Sequence, residues 1–301
     1  MDPRAPTLDQ LHVFLAVVEC GGFAAAARKL GRAASVVSYQ IANLETQLGL
    51  ALFDRERTRR PRLTEAGLTV LADGRAIAGR LDQLLARTRG LQQGLEAEVS
   101  LVVDVMLPMA RLAPLLERFR DAFPTVALRL HVEGLGSVAE MVLAGRAGLG
   151  LSGPLLNGSD ALERRAAGGI TLVPVAAPTH PLAALPGPIP EAATREHLQL
   201  VLTDRSPLTA GRDFFVLGMR TWRLGDLGAK HALLRAGIGW GSMPAPLVAE
   251  DLAAGSLCRL PIDAWDDMIY KLRLVHRVDN PPGPAGRWLA DALAAWRWAA
   301  P

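Results

Sequence analysis

Apolar residues in the first fifty positions recur every three or four residues, in three separate stripes. The stripes are Leu8, Leu11, Leu15 and Val18; Phe23, Ala26, Ala27 and Leu30; and Val37, Ile41, Leu44 and Leu48. This spacing is typical of amphipathic helices. Thr7 and Gln10 form a capping box ahead of the first stripe, and Gly31 and Gly49 end the other two. Three short helices with a tight second-to-third turn predict a helix-turn-helix unit.

The face of the third helix opposite its apolar stripe is mostly small or polar. It carries Ser35, Ser38, Tyr39, Ala42, Asn43 and Thr46, and none of these is acidic. A helix in the DNA major groove needs this character, because bulk or negative charge keeps the backbone away from base edges. An ordinary solvated face has the same composition, so the helix alone leaves both interpretations open.

A cluster of arginines follows the third helix. The cluster is Arg55, Arg57, Arg59, Arg60 and Arg62, opposed within it only by Glu56. Leu52-Phe53 before it and Leu63-Thr64 after it predict a β-wing with arginines at its tip. Arginine holds phosphate through a bidentate fork. The position of the arginine cluster, directly after a candidate recognition helix, favours contact with the DNA backbone or minor groove.

A long helix is predicted from Glu65 to about Gln92, a stretch without proline. Its apolar residues fall at near-heptad spacing: Val70, Ile77, Leu81, Leu84, Leu85 and Leu91. At 1.5 Å per residue the helix is roughly 40 Å long. A long helix with one apolar stripe needs a partner, and self-association is the simplest one. Packing on the downstream part of the same chain is the alternative.

Beyond residue 95, strand-like and helix-like segments alternate. The predicted strands are 99–105, 126–132, 148–151, 199–202, 238–243 and 272–276, and the predicted helices are 108–122, 138–144, 226–236, 246–254 and 287–298. This alternation predicts a mostly parallel α/β sheet in one large or two small units. The uncharged run from Ala166 to Pro190 holds six prolines, so it predicts strands and loops rather than a membrane helix.

Composition narrows the function classes. The chain of 301 residues is 50% hydrophobic and 21% charged, which excludes a disordered chain, and its net charge of +3 excludes a general polycation. Cys20 and Cys258 are the two cysteines, so neither a disulfide framework nor a thiolate zinc site is available. The first residues lack the apolar stretch of a signal peptide. We therefore expect a cytoplasmic protein without a membrane segment, a metal or a cofactor.

Two other classes compete with a DNA-binding protein. A cytoplasmic solute-binding protein without a DNA role leaves the first 92 residues unexplained. A metabolic enzyme finds no support in the motifs, since the six histidines show no metal spacing and no Gly-x-Ser-x-Gly elbow occurs. We expect no catalytic residue.

The ordered residues resemble one known family over nearly the whole chain. The first part of the match is Leu11, Phe14, Val17, Glu19, Phe23, Ala26, Ala27, Leu30, Ser38, Gln40, Ile41, Leu44, Glu45, Leu48, Gly49, Leu52, Phe53, Arg55 and the run Leu63-Thr64-Glu65-Ala66-Gly67. The second part is Pro108, Arg111-Leu112, Phe119, Phe123-Pro124-x-Val126 and the run Gly237-Ile238-Gly239-Trp240-Gly241-Ser242-Met243-Pro244. The pattern is similar to that of LysR-type transcriptional regulators.

The resemblance implies a mostly-α winged helix-turn-helix domain at 1–64, a dimerising linker helix at 65–93 and an α/β effector-binding domain at 94–301. That last domain would have two lobes like a periplasmic binding protein. Lobe one would take about 94–165 and 269–301, and lobe two about 166–268, with hinge strands near 163–170 and 265–270. The assembly implied is a homodimer through the linker helix, and further a homotetramer.

The resemblance also implies function and sites. The chain would be a sequence-specific transcriptional regulator of double-stranded DNA, modulated by a small effector bound between the lobes. The DNA-binding residues expected are Arg32, Ser35, Ser38, Tyr39, Gln40, Asn43, Arg55, Arg57 and Arg59. The effector-binding residues expected are Met106, Leu107, Glu133, Gly134, Thr203, Asp204 and Trp240. The methionine and tryptophan side chains suit a flat, partly apolar effector such as an aromatic acid or a phenol.

The chain departs from the family pattern at the third helix. Ala33-Ala34 stand where the family usually has Ser/Thr-Gln, and Tyr39 stands where relatives commonly have arginine. We expect a different half-site preference from these changes. We also expect Ser35 to cap the helix, because its hydroxyl can accept a bond from a nearby N–H.

Overall fold

The computed structural model describes residues 5–54, 61–92, 94–154, 159–204, 206–209, 214–263, 265 and 268–298. The chain divides into two compact units, Met1–Arg89 and Gly90–Pro301. No helix in the described part of the chain is both long and apolar enough to cross a membrane.

The first unit contains the three predicted helices, the wing strands and most of the long helix. Its elements are α1 (Leu8–Glu19), α2 (Phe23–Leu30), α3 (Ala34–Leu48), β1 (Phe53–Asp54), β2 (Arg62–Leu63) and α4 (Glu65–Gln92). Strands β1 and β2 pair antiparallel, as a wing requires. The capping box of Thr7 and Gln10 is present at α1, which confirms that prediction.

The predicted apolar stripe of α1 is only part of its buried surface. Leu15 of the stripe is buried in the core, but so are Val13, Phe14 and Val17 outside it, whereas Leu8 is 51% exposed. Helix α1 is apolar around most of its circumference, so periodicity could not separate its two faces. The stripe also faces α4, where Leu15 lies against the position of Gly74.

The N-terminus of α3 also differs from the prediction. Ala33 occupies the N-cap position with extended backbone, and no side chain caps the helix. Ser35 therefore lies inside the first turn, and its predicted role as a cap is wrong. The left-handed Gly31, at φ +64°, ends α2 so early that α3 begins at Ala34.

The second unit is an α/β assembly around one sheet. Its strands are β3 (Glu98–Asp104), β4 (Ala127–Glu133), β5 (Leu149–Ser152), β6 (Leu162–Ala176), β7 (Gln199–Leu202), β8 (Thr221–Leu224), β9 (Trp240–Pro244), β10 (Cys258–Arg259) and β11 (Met268–Arg277). Its helices are α5 (Met109–Ala122), α6 (Gly136–Leu143), α7 (Glu191–Arg195), α8 (Leu227–Arg235), α9 (Ala245–Ala254) and α10 (Pro284–Ala295), with a 3-10 helix at Pro181–Ala184.

The strand order is β4-β3-β5-β11-β6-β9-β7-β8, with β10 beside β6. We call β4, β3 and β5 the first strand group, and β9, β7 and β8 the second. Pairing within each group is parallel, whereas β6 and β11 run antiparallel to each other and to the groups they adjoin. The mostly parallel sheet predicted is therefore wrong at its centre.

Strands β6 and β11 explain this mixed topology. The chain leaves the first group along β6, builds the second group and returns along β11, and a strand that returns must run opposite to the one that left. The expected hinge segment 163–170 lies on β6, and 265–270 overlaps the start of β11. The proline-rich run becomes the second half of β6, a loop and the 3-10 helix, which confirms strands and loops.

Candidate DNA-binding surface and effector cavity

Helix α3 presents the mostly small and polar face that its sequence predicts. Val37, Ile41 and Leu44 are buried, which leaves the opposite side of the helix outward. Ser35 and Ser38 are exposed and Tyr39 is 67% exposed. Gln40 and Asn43 are half-buried at the edges of this face. We call this face the α3 surface; it is open for contact and carries no acid in its first turn.

Two of the expected DNA contacts are already hydrogen-bonded to Asp9. The Arg32 guanidinium donates to both carboxylate oxygens, at 2.8 and 2.7 Å, and Gln40 Nε2 donates to one of them at 3.2 Å. The hydrogen bonds from Arg32 hold the pKa of Asp9 below its ordinary value. The carboxylate thus positions both side chains beside the start of α3, and Arg32 keeps further N–H groups for another acceptor.

The wing is anchored to the core at its base. Phe53 of β1 packs against Phe14 and Phe23, each with ring centroids 5.5 Å apart. The expected contacts Arg55, Arg57 and Arg59 lie outside the described residues.

A cavity in the second unit lies between the two strand groups. It is lined by Met106, Leu135, Gln199, Leu200, Val201, Leu202, Phe214, Phe215, Lys230, Ser242 and Tyr270. Met106 and Leu135 follow strands of the first group, whereas Tyr270 belongs to β11 and the other lining residues to the second half of the fold. The cavity has room for about one water molecule, so a larger ligand requires the groups to move apart.

The expected effector residues divide between the cavity, the core and a contact between the groups. Met106 lines the cavity, whereas Leu107 and Trp240 are buried in the hydrophobic core. The other four, Glu133, Gly134, Thr203 and Asp204, are half-buried.

Asp204 joins the two groups. Its carboxylate accepts the N–H of Ser137 at the start of α6, at 3.1 Å, and also bonds the Thr209 hydroxyl. Gly134 lies close by, since a Cβ added there would sit 3.6 Å from the Asp204 Cβ. These contacts hold the groups together beside the cavity.

Several lining residues were not predicted from the sequence. Gln199 is one: its Nε2 donates to the Phe215 carbonyl oxygen at 2.7 Å, and its Oε1 accepts the N–H groups of Leu217 and Gly218. It therefore holds the loop that carries Phe215. Lys230 is another, and its signal was present, because it shares the apolar face of α8 with Leu227 and Leu234.

Asp104 is a buried acid next to the cavity. It accepts the N–H groups of Met106 and Gly153, at 2.9 and 3.2 Å, and the Tyr270 hydroxyl at 2.7 Å. Burial nevertheless raises the pKa of Asp104 from 3.8 to about 6. One carboxyl group thus connects the ends of β3 and β5 to β11.

This shifted pKa predicts a pH dependence of stability. Between about pH 4 and pH 6 the folded state holds a proton on Asp104 that the unfolded state has released, so the free energy of unfolding falls as pH rises. The contribution lost is on the order of 3 kcal/mol. Urea unfolding of the wild type and of Asp104→Asn across this range measures it. An equal change in both proteins would contradict the assignment.

Two family models cover most of the chain. Residues 8–68 match the model described as "Bacterial regulatory helix-turn-helix protein, lysR family". Residues 92–298 match the model described as "LysR substrate binding domain". The first range contains α1 to α3 and the wing strands, and the second contains both strand groups and the cavity.

Curated relatives agree with these models. The chain is 30% identical over 261 residues to the probable HTH-type transcriptional regulator YhaJ of Escherichia coli (strain K12), covering 84% of this chain and 85% of that protein. It is 29% identical over 255 residues to the HTH-type transcriptional activator AllS of Klebsiella pneumoniae, covering 83% and 93%.

Solved structures show the same fold. A full-length variant of AphB superposes with a TM-score of 0.52 at 21% identity, covering 97% of this chain and 99% of that one. A cysteine mutant of Corynebacterium glutamicum OxyR gives 0.53 at 19% identity, covering 98% and 94%. The chain belongs to the LysR family of transcriptional regulators, with a helix-turn-helix DNA-binding domain and a substrate-binding domain that takes a small effector.

Proposed function

We propose that the regulator reads double-stranded DNA with the α3 surface and holds the flanking phosphates with the wing. The observation that carries this is the exposed face of α3, which is mostly small or polar and carries no acid in its first turn. Ser35, Ser38 and Tyr39 meet base edges and nearby phosphates, with Arg32, Gln40 and Asn43 beside them. Arg55, Arg57 and Arg59 supply the backbone contacts that make binding salt-dependent.

We expect Tyr39→Ala to change sequence preference more than total affinity. Tyr39 is 67% exposed, so the change leaves the helical core intact. Loss of one base contact alters discrimination at one base pair by about 1–3 kcal/mol. Selection of binding sites from a random DNA pool, followed by gel-shift titration, measures the preference.

Gln47→Ala is the matched control, because Gln47 is also exposed on α3 but lies about two turns further on. It is expected to keep the wild-type preference. If Tyr39→Ala selects the same sites with the same relative affinities as wild type, the α3 surface does not read bases as proposed.

The proposed division of labour follows the chain: DNA binding by 1–64, dimerisation by 65–93 and effector binding by 94–301, with lobes at about 94–165 plus 269–301 and at 166–268. Exposed apolar side chains along α4 support a homodimer through this helix. They are Ile77, Leu84, Leu85 and Leu91. Pairing of such a stripe removes it from water, and further association of dimers gives a homotetramer.

The effector in this proposal is a flat, partly apolar molecule such as an aromatic acid or a phenol. The cavity walls support it, since Met106, Phe214 and Phe215 line a mostly apolar space. The effector acts through unequal affinity for two arrangements of the lobes. The protein works in the cytoplasm by binding alone, without catalysis, metal or cofactor.

A further inference from the structure

Lys230 is a buried cation in the wall of the cavity. The residue is 2% exposed and lies on α8, whose apolar face packs toward the sheet. The sheet leaves space for its long stem, because a Cβ at Gly241 would sit 3.1 Å from the Lys230 Cε. The stem thus passes a glycine of β9 and brings the ammonium group to the cavity.

The ammonium group has less bonding than a buried charge needs. Its Nζ donates to the Ser242 carbonyl oxygen at 2.7 Å, which uses one of three N–H groups. In the part of the chain that the structure describes, no carboxylate forms an ion pair with it. Burial accordingly lowers the pKa of Lys230 from 10.5 to about 7.

Two of the other polar side chains of the wall, Gln199 and Tyr270, are engaged elsewhere. The Gln199 side-chain amide forms hydrogen bonds with the backbone of the loop from Phe215 to Gly218, and the Tyr270 hydroxyl donates to Asp104. Most of the remaining wall is apolar. A ligand in this cavity would therefore meet a hydrophobic surface and one under-coordinated ammonium group.

We propose that Lys230 binds the carboxylate of the effector, and that the cavity selects a small organic monoanion with an apolar body. This inference rests on the proposed effector site and narrows its ligand to acids. An acid supplies the missing counter-ion in a space shielded from water, where a charge-assisted hydrogen bond is strong. A neutral ligand of the same shape leaves the ammonium group unpaired and binds more weakly.

The test compares acids with neutral molecules of similar shape on the full-length protein. The acids are benzoate and hexanoate, and the neutral molecules are benzamide and phenol. Titration calorimetry and thermal unfolding are run on wild type, Lys230→Met and Lys230→Gln. Lys271→Met is the matched control, because Lys271 lies exposed on β11 and its loss changes the net charge equally.

In wild type, at least one acid is expected to bind at least tenfold more tightly than the neutral molecules. Lys230→Met and Lys230→Gln lose this preference, and Lys271→Met keeps it. Without ligand, Lys230→Met melts about 2–4 °C higher than wild type, because it removes a desolvated ammonium group. A purely structural lysine would not combine a gain in thermal stability with a loss of acid selectivity.

Three results overturn the inference, and they distinguish its failure from the failure of the proposed effector. If phenol or benzamide binds wild type and the acids bind no more tightly, the proposed effector site is supported and the proposed role of Lys230 is contradicted. The same holds if both Lys230 variants bind acids as tightly as wild type. If none of the four molecules binds, both the proposed aromatic effector and the proposed role of Lys230 are contradicted.

Discussion

Gly67→Ala is expected to destabilise the first unit by about 3 kcal/mol or more, although alanine is the better helix former. Gly67 is buried in the first turn of α4. A Cβ there would come 3.0 Å from the Leu63 side chain and still closer to the Leu52 carbonyl oxygen. That oxygen cannot withdraw freely, because it accepts the N–H of Thr64 at 3.0 Å.

The same substitution also disturbs the wing. The Thr64 hydroxyl accepts the N–H of Gly67 at 2.9 Å and donates to the Ala51 carbonyl oxygen at 2.6 Å, so the cap of α4 and the segment that leads into β1 share one set of bonds. Hydrogen exchange of the α1 to α3 amides in the full-length protein measures the loss of stability. A gel-shift titration with a DNA fragment that the wild-type protein binds measures the loss of DNA affinity.

Gly79→Ala, on the same helix, is expected to change the stability in the opposite direction. Gly79 is exposed and a Cβ there would meet nothing within 4 Å, so alanine should stabilise α4 by about 0.5–1 kcal/mol. Equal effects of the two substitutions would show that the close approach of Leu52 to α4 does not exist in solution.

Gly153→Ala is expected to cost about 3 kcal/mol or more in the second unit. A Cβ on this buried residue would overlap the hydroxyl and ring of Tyr270. Tyr270 must then move away from Asp104, whose carboxylate loses its hydroxyl donor and whose bond to the Gly153 N–H is strained. Because Tyr270 also lines the cavity, ligand binding should weaken with stability.

Thermal unfolding and urea unfolding of the full-length protein measure this effect. Gly148→Ala is the control, since Gly148 is exposed just before β5 and an added Cβ would stay 3.9 Å from the Ser100 carbonyl oxygen. It is expected to be near neutral. A Gly153→Ala protein as stable as this control would refute the packing of Tyr270 over Gly153.

Local signals predicted the first unit well. The capping box at Thr7 and the left-handed glycines Gly31 and Gly49 act within a few residues of themselves, so they mark helix ends without knowledge of the fold. The outward face of α3 followed because its apolar stripe is clean. The face of α1 did not, because its apolar residues nearly surround it.

The cavity was much harder to predict. Of the effector residues expected from the family pattern, Met106 lines it, whereas Trp240 lies in the core. Lys230 and Tyr270 reach the same space from α8 and β11, far apart in the chain. Sequence spacing does not predict which distant residues line the same cavity. The one local signal was a lysine on the apolar face of a helix.

The sequence by itself determined most of the helices, the wing strands, the alternation of strands and helices and the family. Each of these depends on residues close in the chain or on a long ordered pattern. The tertiary structure decided the antiparallel centre of the sheet, the face of α1 that is buried and the composition of the cavity. These depend on which distant surfaces pack together and exclude water. The same packing buries Lys230 and Asp104, and this burial shifts the pKa of each.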